Sequence, residues 1–193
     1  KLEKRWRPSI FKSYSIGSRI KMGNGFVKGS LNSGFTYRAS KKIKTSLFAG
    51  VGSFLVSNNI PLQYRYYLSG NVDPDFEQLV MIDRMGTSSD LKVLHNTYHG
   101  SGMRGIVVED PTLSTDKMFW RIKIDQSLPV FSAKFFFDIA GSPDFEIQQY
   151  AAIGIELGPI IIPLYQSWEV DSTIPNGLDW FRNRIRLKMS KSL

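Results

Sequence analysis

Few residues in this chain are suited to chemistry, and they are scattered. His95 and His99 lie four apart in His95-Asn96-Thr97-Tyr98-His99. On a helix that spacing would let two imidazoles share a metal ion. The stretch reads as strand, the glutamate of a His-Glu-x-x-His motif is missing, and there are only 2 histidines in the chain. A metal site is therefore not expected. No Gly-x-Ser-x-Gly elbow, phosphate loop or Ser-His-Asp order stands out. Gly50-Val51-Gly52 suits the close approach of a neighbour to a strand better than a phosphate. Asp83, Asp125 and Asp138 are isolated carboxylates, suited to pairing with arginines. The reading is no catalytic residue, no cofactor and no metal, hence no enzyme in this chain. Any catalytic domain would lie upstream.

The elements that must carry these residues are strands. Between Lys117 and Gly158 the sequence alternates with a period of two, which puts successive side chains on opposite faces. Met118, Trp120, Ile122 and Ile124 oppose Lys117, Phe119, Arg121, Lys123 and Asp125. Ala133, Phe135, Phe137 and Ile139 oppose Ser132, Lys134, Phe136, Asp138 and Ala140. Ala151, Ile153, Ile155 and Leu157 oppose Ala152, Gly154, Glu156 and Gly158. Such ribbons fit a soluble sandwich whose apolar face is its core. They equally fit a barrel with lipid outside and small residues and sparse charges inside.

At 193 residues the chain is long enough for one domain with its own core, or for part of a larger one. Charged residues make up 22% and aromatics 13%, which excludes a chain disordered by composition. Cysteine is absent, which excludes a disulfide framework and a thiolate metal site. The net charge of +8 raises the question of nucleic acid, but the cations are spread over many candidate strands. With no helix-turn-helix, zinc finger or ribonucleoprotein motif, no nucleic-acid partner is expected. No run of about 18 apolar residues is present, so no membrane helix is expected, whereas barrel strands need only about 10 residues. The start, KLEKRWRPSIF, lacks both a signal core and an initiating Met, and is expected to be a processed end or an internal piece.

Taken in order, residues 1–8 read as a basic segment and Ser9–Met22 as a strand. Asn24-Gly25 reads as a turn, Gly29–Gly34 as a stretch rich in turn residues, and Phe35–Ser40 as a strand. Lys41-Lys42 marks a connection, and Leu47–Leu55 and Ile60–Leu68 alternate as two further strands. Phe76–Met85 is a strand or a short helix, and Leu91–Tyr98 a strand. The segment around 99–116 is a long loop, a length that in compact domains usually serves a function. Ile160–Trp168 is a strand in which Pro163 implies an edge, a bulge or an irregular end. Asn183–Ser190 is the last. Trp6, Trp120, Trp168, Trp180, Tyr66 and Tyr67 lie near strand ends or on outward faces, where either interfacial or core packing suits them.

Phe135–Gly141, FFFDIAG, resembles the Phe-x-Asp-x-Gly strand of the bacterial surface-antigen barrel superfamily. That superfamily comprises the outer-membrane assembly and two-partner secretion transporters. Met103-Arg104-Gly105-Ile106 resembles its lumen-inserted Val-Arg-Gly-Phe/Tyr loop motif, with Ile106 in place of the aromatic. AAIGIELGPIIIPLY and RNRIRLKMS resemble its closing strands, although the terminal residue is Leu193 rather than Phe. IPLYQSW and the ending are most similar to the barrels of membrane metallopeptidase-like proteins of Bacteroidetes type. The resemblance covers about residues 80–190. It implies an all-β fold: an antiparallel transmembrane β-barrel, of which residues 1–193 form about the second half of sixteen strands. It also implies an outer-membrane location, with lipid, upstream strands of the same protein and other envelope proteins as partners.

A lumen-inserted Arg would need a carboxylate to remain charged away from bulk water. The expected site is therefore Arg104, flanked by Gly105, bonded to Asp138, with Glu156 or Asp125 as second partner. The expected role is a membrane anchor, extended to a protein-translocation or assembly pore. The alternative is a soluble basic β-sandwich or open barrel that binds a ligand or nucleic acid. The two make opposite demands on Phe135, Ile155 and Leu187: facing lipid in the first, buried in the second.

Overall fold

The computed structural model describes residues 2–58, 60, 65–68, 97–98, 103–104, 114–129, 133–145, 147–167 and 185–188. The chain is all-β. Its strands are β1 (Leu2–Ser9), β2 (Lys12–Gly23), β3 (Phe26–Arg38), β4 (Lys44–Ser57), β5 (Tyr66–Tyr67), β6 (Thr97–Tyr98), β7 (Ser114–Thr115), β8 (Met118–Ser127), β9 (Ala133–Gly141), β10 (Gln149–Leu157), β11 (Ile160–Gln166) and β12 (Arg186–Lys188). One ten-stranded sheet runs β1-β2-β3-β4-β8-β9-β10-β11-β12-β6. Every pairing in it is antiparallel except β12 with β6. The order begins at β1 and ends at β6, so the sheet is open. A closed barrel is thus not formed among the described residues.

Local chemistry sets the hairpins. Ser9 Oγ accepts the amides of Phe11 (3.3 Å) and Lys12 (3.1 Å), turning the chain between β1 and β2. Ser40 Oγ does the same for Lys42 and Ile43 between β3 and β4. Both are side-chain substitutes for a backbone turn. Gly25 has φ +82°, the left-handed backbone that the two-residue β2–β3 turn requires.

Three expectations are corrected. The basic segment 1–8 is part of strand β1, and the strand read from Ser9 begins only after the turn at Ile10-Phe11. Gly29–Gly34 is no turn but the interior of β3. Of the strand read over Ile60–Leu68, the described residues 60 and 65–68 do not join the main sheet. Tyr66–Tyr67 pairs only with Ser114–Thr115 in a separate two-stranded sheet. The main sheet passes directly from β4 to β8, and the stretch 58–117 is an excursion between them, of whose described residues Thr97–Tyr98 rejoin the sheet beside β12. Phe76–Met85 and most of Leu91–Tyr98 lie outside the described residues. Pro163 sits at a register shift, where Ile153 pairs with Tyr165 but Gly154 with Pro163. The extra residue, Leu164, is left over as in a β-bulge.

The excursion returns to cover one face of the sheet. Leu68 and Met103 join through a backbone hydrogen bond, Met103 N to Leu68 O at 2.9 Å, and both are buried. They pack with Phe119, Phe136, Ala140, Tyr150 and Ile161 in the core cluster. Tyr66 stacks on Phe119 at 6.0 Å and donates to Gly29 O at 3.0 Å. A Cβ on Gly52 would lie 2.5 Å from the Tyr66 hydroxyl oxygen, so this approach needs glycine.

The opposite face is apolar and exposed. One register row crosses eight strands as Trp6, Tyr14, Phe35, Leu47, Ile124, Phe137, Ile153 and Tyr165. Phe135 is 44% exposed, Ile153 43% and Leu47 41%. The polar face of β9 and β10 is the buried one, with Asp138 at 0% and Glu156 at 4%.

Candidate functional site

The covered face holds a buried ion cluster. Asp138 lies in mid-β9, where alternation sets it beside Phe136 and Ala140 on the same face. Lys123 of β8 and Ala152 of β10 flank it in register. Glu156 lies on β10 opposite Lys134. Asp125 lies on β8 opposite Phe136.

Arg104 enters this row from the excursion. Its backbone N–H donates to Asp138 Oδ2 at 2.9 Å, its Nε to the same oxygen at 2.8 Å, and its Nη2 to Asp138 Oδ1 at 2.5 Å. The guanidinium edge thus grips both carboxylate oxygens, the two-pronged geometry that Arg favours. Nη1 lies 2.6 Å from Asp125 Oδ1 and 3.5 Å from Glu156 Oε2. The Asp125 contact is off the hydrogen-bond axis, an ion pair without a hydrogen bond. The guanidinium carbon sits 4.2 Å from the centre of the Phe136 ring, within cation–π range. Lys134 Nζ donates to Glu156 Oε1 at 3.0 Å. Arg104 is 2% exposed.

Of the residues singled out from sequence, the structure brings Arg104, Asp138, Glu156 and Asp125 together. Gly105 lies outside the described residues. The sequence reading left Phe136, Lys134 and Lys123 unassigned. The signal was present, since Lys134, Phe136 and Asp138 share one face by alternation alone. Asp83, His95 and His99 lie outside the described residues.

The chemistry of the cluster is that of a clamp. Its carboxylates are engaged by cations, and no nucleophile sits among them. Arg104 pairs with Asp125, Asp138 and Glu156, Lys134 pairs with Glu156, and Lys123 lies beside Asp138 across the β8–β9 ladder. Such pairing keeps buried charge tolerable, and removing Arg104 leaves carboxylates uncompensated. Among the described residues no group of three His, Cys, Asp or Glu side chains could hold a metal ion. No helix there is long and apolar enough to cross a membrane, which says nothing about strands.

Fold and site together define an all-β chain built on one open antiparallel sheet, apolar on its exposed face and clamped by ions on its covered one. No protein-family model, curated protein or solved structure matches the chain.

Proposed function

We propose that this chain is a segment of an outer-membrane β-barrel of the bacterial surface-antigen type, acting as membrane anchor and as protein-translocation or assembly pore. The observation that carries the reading is the sidedness of the sheet. A continuous row of Ile, Leu, Phe, Tyr and Trp lies on the exposed face, while Asp138 and Glu156 lie on the covered one beside Phe119, Phe136 and Ile161. In water an apolar surface continuous across eight strands would drive association. In a bilayer it is the stable arrangement, because acyl chains solvate it and the strands satisfy one another's backbone groups. Strands β2, β3, β4, β8, β9 and β10 run from 9 to 14 residues, long enough to cross a hydrocarbon core when tilted.

The connections give the reading a polarity. At one end they are short: residues 10–11, 39–43, 128–132 and 158–159. At the other lie the excursion 58–117 and the stretches 142–148 and 167–185, together with the two-residue turn 24–25. Outer-membrane barrels keep short turns on the periplasmic side and long loops outside. On this reading residues 65–68 and 103–104, from a connection that leaves at the outer surface, lie in the lumen, where Arg104 is fastened to the wall through Asp138.

The test is the behaviour of the purified intact protein. It is expected to need detergent to remain monodisperse and to stay with lipid vesicles through flotation after alkaline washing. A monodisperse sample in plain buffer, with no vesicle association, would favour the soluble sandwich.

A further inference from the structure

The face opposite the apolar row is not electrically uniform. On β8–β10 its charges are paired; on β1–β4 they are positive and in excess. Residues 2–57 hold eleven lysines and arginines against one carboxylate, Glu3. Alternation away from Trp6, Tyr14, Phe35 and Leu47 puts seven of the eleven on this face. They are Arg5 and Arg7 of β1, Arg19 and Lys21 of β2, Lys28 and Arg38 of β3, and Lys44 of β4. Glu3 already holds Arg5 at 2.5 Å. Each of the other carboxylates among the described residues is likewise held by a cation: Asp116 by Arg65, Asp125 and Asp138 by Arg104, Asp144 by Lys117 and Glu156 by Lys134. Arg7, Arg19, Arg38 and Lys44, by contrast, form no ion pair among the described residues. Arg7, Arg38 and Lys44 are exposed and Arg19 is half-buried.

These cations are strung along the strands rather than gathered at one point. Arg38 and Lys44 face each other across β3–β4 at the short-connection end, where with Arg7 they line a cleft of about 200 Å3. Lys21 and Lys28 face each other across β2–β3 near the long-loop end. Between these ends, Arg5 lies level with Gly34 through Ser15, and Arg19 level with Ser30. Counted on β3, the four levels are separated by four, four and two residues, roughly 13, 13 and 7 Å at about 3.3 Å per residue. Like charges set directly opposite each other weaken a strand pair, and this face carries two such pairs. On the pore reading, on which this inference rests, the face lines the lumen. One tight cluster would hold an anion fast; a series of weaker, spaced sites lets it move on, which is what conduction requires. Walls of low dielectric and one sign of charge also raise the local concentration of counter-ions. We propose that β1–β4 form the wall of an anion-selective path through the barrel, passing small inorganic anions such as chloride in preference to cations.

The experiment records the current carried by the intact protein in planar bilayers under a KCl gradient, where the reversal potential gives the chloride-to-potassium permeability ratio. Chloride is expected to be favoured about threefold or more. The preference is expected to fade as KCl rises from about 0.1 to about 1 M, because the screening length shrinks from about 10 to about 3 Å. Arg38→Gln/Lys44→Gln is expected to lower the ratio about twofold or more. Arg19→Gln, which removes a charge midway along the wall, acts in the same direction and is the second variant should the double one fail to fold. Lys4→Gln is the control: it takes one charge from the apolar face, opposite Ile16, and is expected to leave the ratio unchanged. A wild-type ratio of one or below, a ratio that neither inner-face variant lowers, or an equal effect of Lys4→Gln would each overturn the proposal. Failure of the pore reading shows differently, as no conductance above that of the bare bilayer, and it would take this inference with it.

Discussion

Replacing Arg104 by Met removes the cation that Asp125, Asp138 and Glu156 share on the covered face. Asp138, at 0% exposure, then loses both side-chain hydrogen bonds it receives from Arg104. The backbone amide is the one donor the new residue could still offer. The cluster is left with one excess negative charge away from bulk water. Breaking a buried pair from one side costs about 3–5 kcal/mol. Asp138→Asn is milder, because Arg104 keeps Asp125 at 2.6 Å and Glu156 at 3.5 Å, and the amide oxygen still accepts. The loss there is about 1.5–3 kcal/mol, that of hydrogen bonds to a charged group. The double variant restores charge balance, so its cost should fall short of the sum of the single costs by about 1–3 kcal/mol. The assay is equilibrium unfolding in urea from lipid vesicles, read by the fluorescence of Trp6 and Trp120 on the sheet. Strict additivity, or an Arg104→Met cost below about 1 kcal/mol at unchanged m-value, would refute the balanced-cluster reasoning.

Two further outcomes follow from other parts of the sheet. Ile124→Arg, in the middle of the exposed apolar row, should cost about 2–4 kcal/mol in vesicles if acyl chains meet that face. In a soluble sheet with the face open to water the same change would stay within about 0.5 kcal/mol, so unfolding titrations separate the two. Beyond the sheet's long-loop end, Lys117 Nζ donates to Asp144 Oδ1 at 2.9 Å and Thr115 Oγ1 to Asp144 Oδ2 at 3.0 Å. The Lys117 hydrogen bond holds the Asp144 carboxyl below its ordinary range, and the Asp144 hydrogen bond raises Lys117. The Asp144 contribution is present above its unfolded pKa and lost as pH falls through the depressed folded value. The Lys117 contribution is present below its unfolded pKa and lost as pH rises through the raised one. Asp144→Asn should therefore differ from wild type on the plateau between and converge with it at both extremes. A stability gap that persists unchanged into strong acid would contradict this.

Much of the strand layout was legible in the residues. Strands β8, β9 and β10 follow from strict alternation, because a pleated strand turns successive side chains to opposite faces whatever packs on them. Asn24-Gly25 and Lys41-Lys42 marked connections that the structure has. Pro163 foretold an irregularity, which is the register shift in β11. The misreadings share one cause. Gly29–Gly34 carries small polar residues as a loop would, yet it lies in β3, where Tyr66 comes down on Gly29. Ile60–Leu68 alternates like a sheet strand, but Leu68 spends its apolar side chain on contact with Met103 and the face beneath it. In both places the outcome depends on a partner distant in sequence.

From the sequence alone came two faces for each ribbon, the membership of Phe136, Asp138 and Lys134 on one of them, and the isolation of Arg104 in a segment without strand character. Which face is covered was settled only by the fold. A period of two separates two sides but is symmetric between them. The symmetry is broken when residues 65–68 and 103–104 lie across the ionic side and leave the apolar side open. Those contacts join residues distant in sequence, 34 positions in the case of Arg104 and Asp138, and no local pattern encodes such a distance.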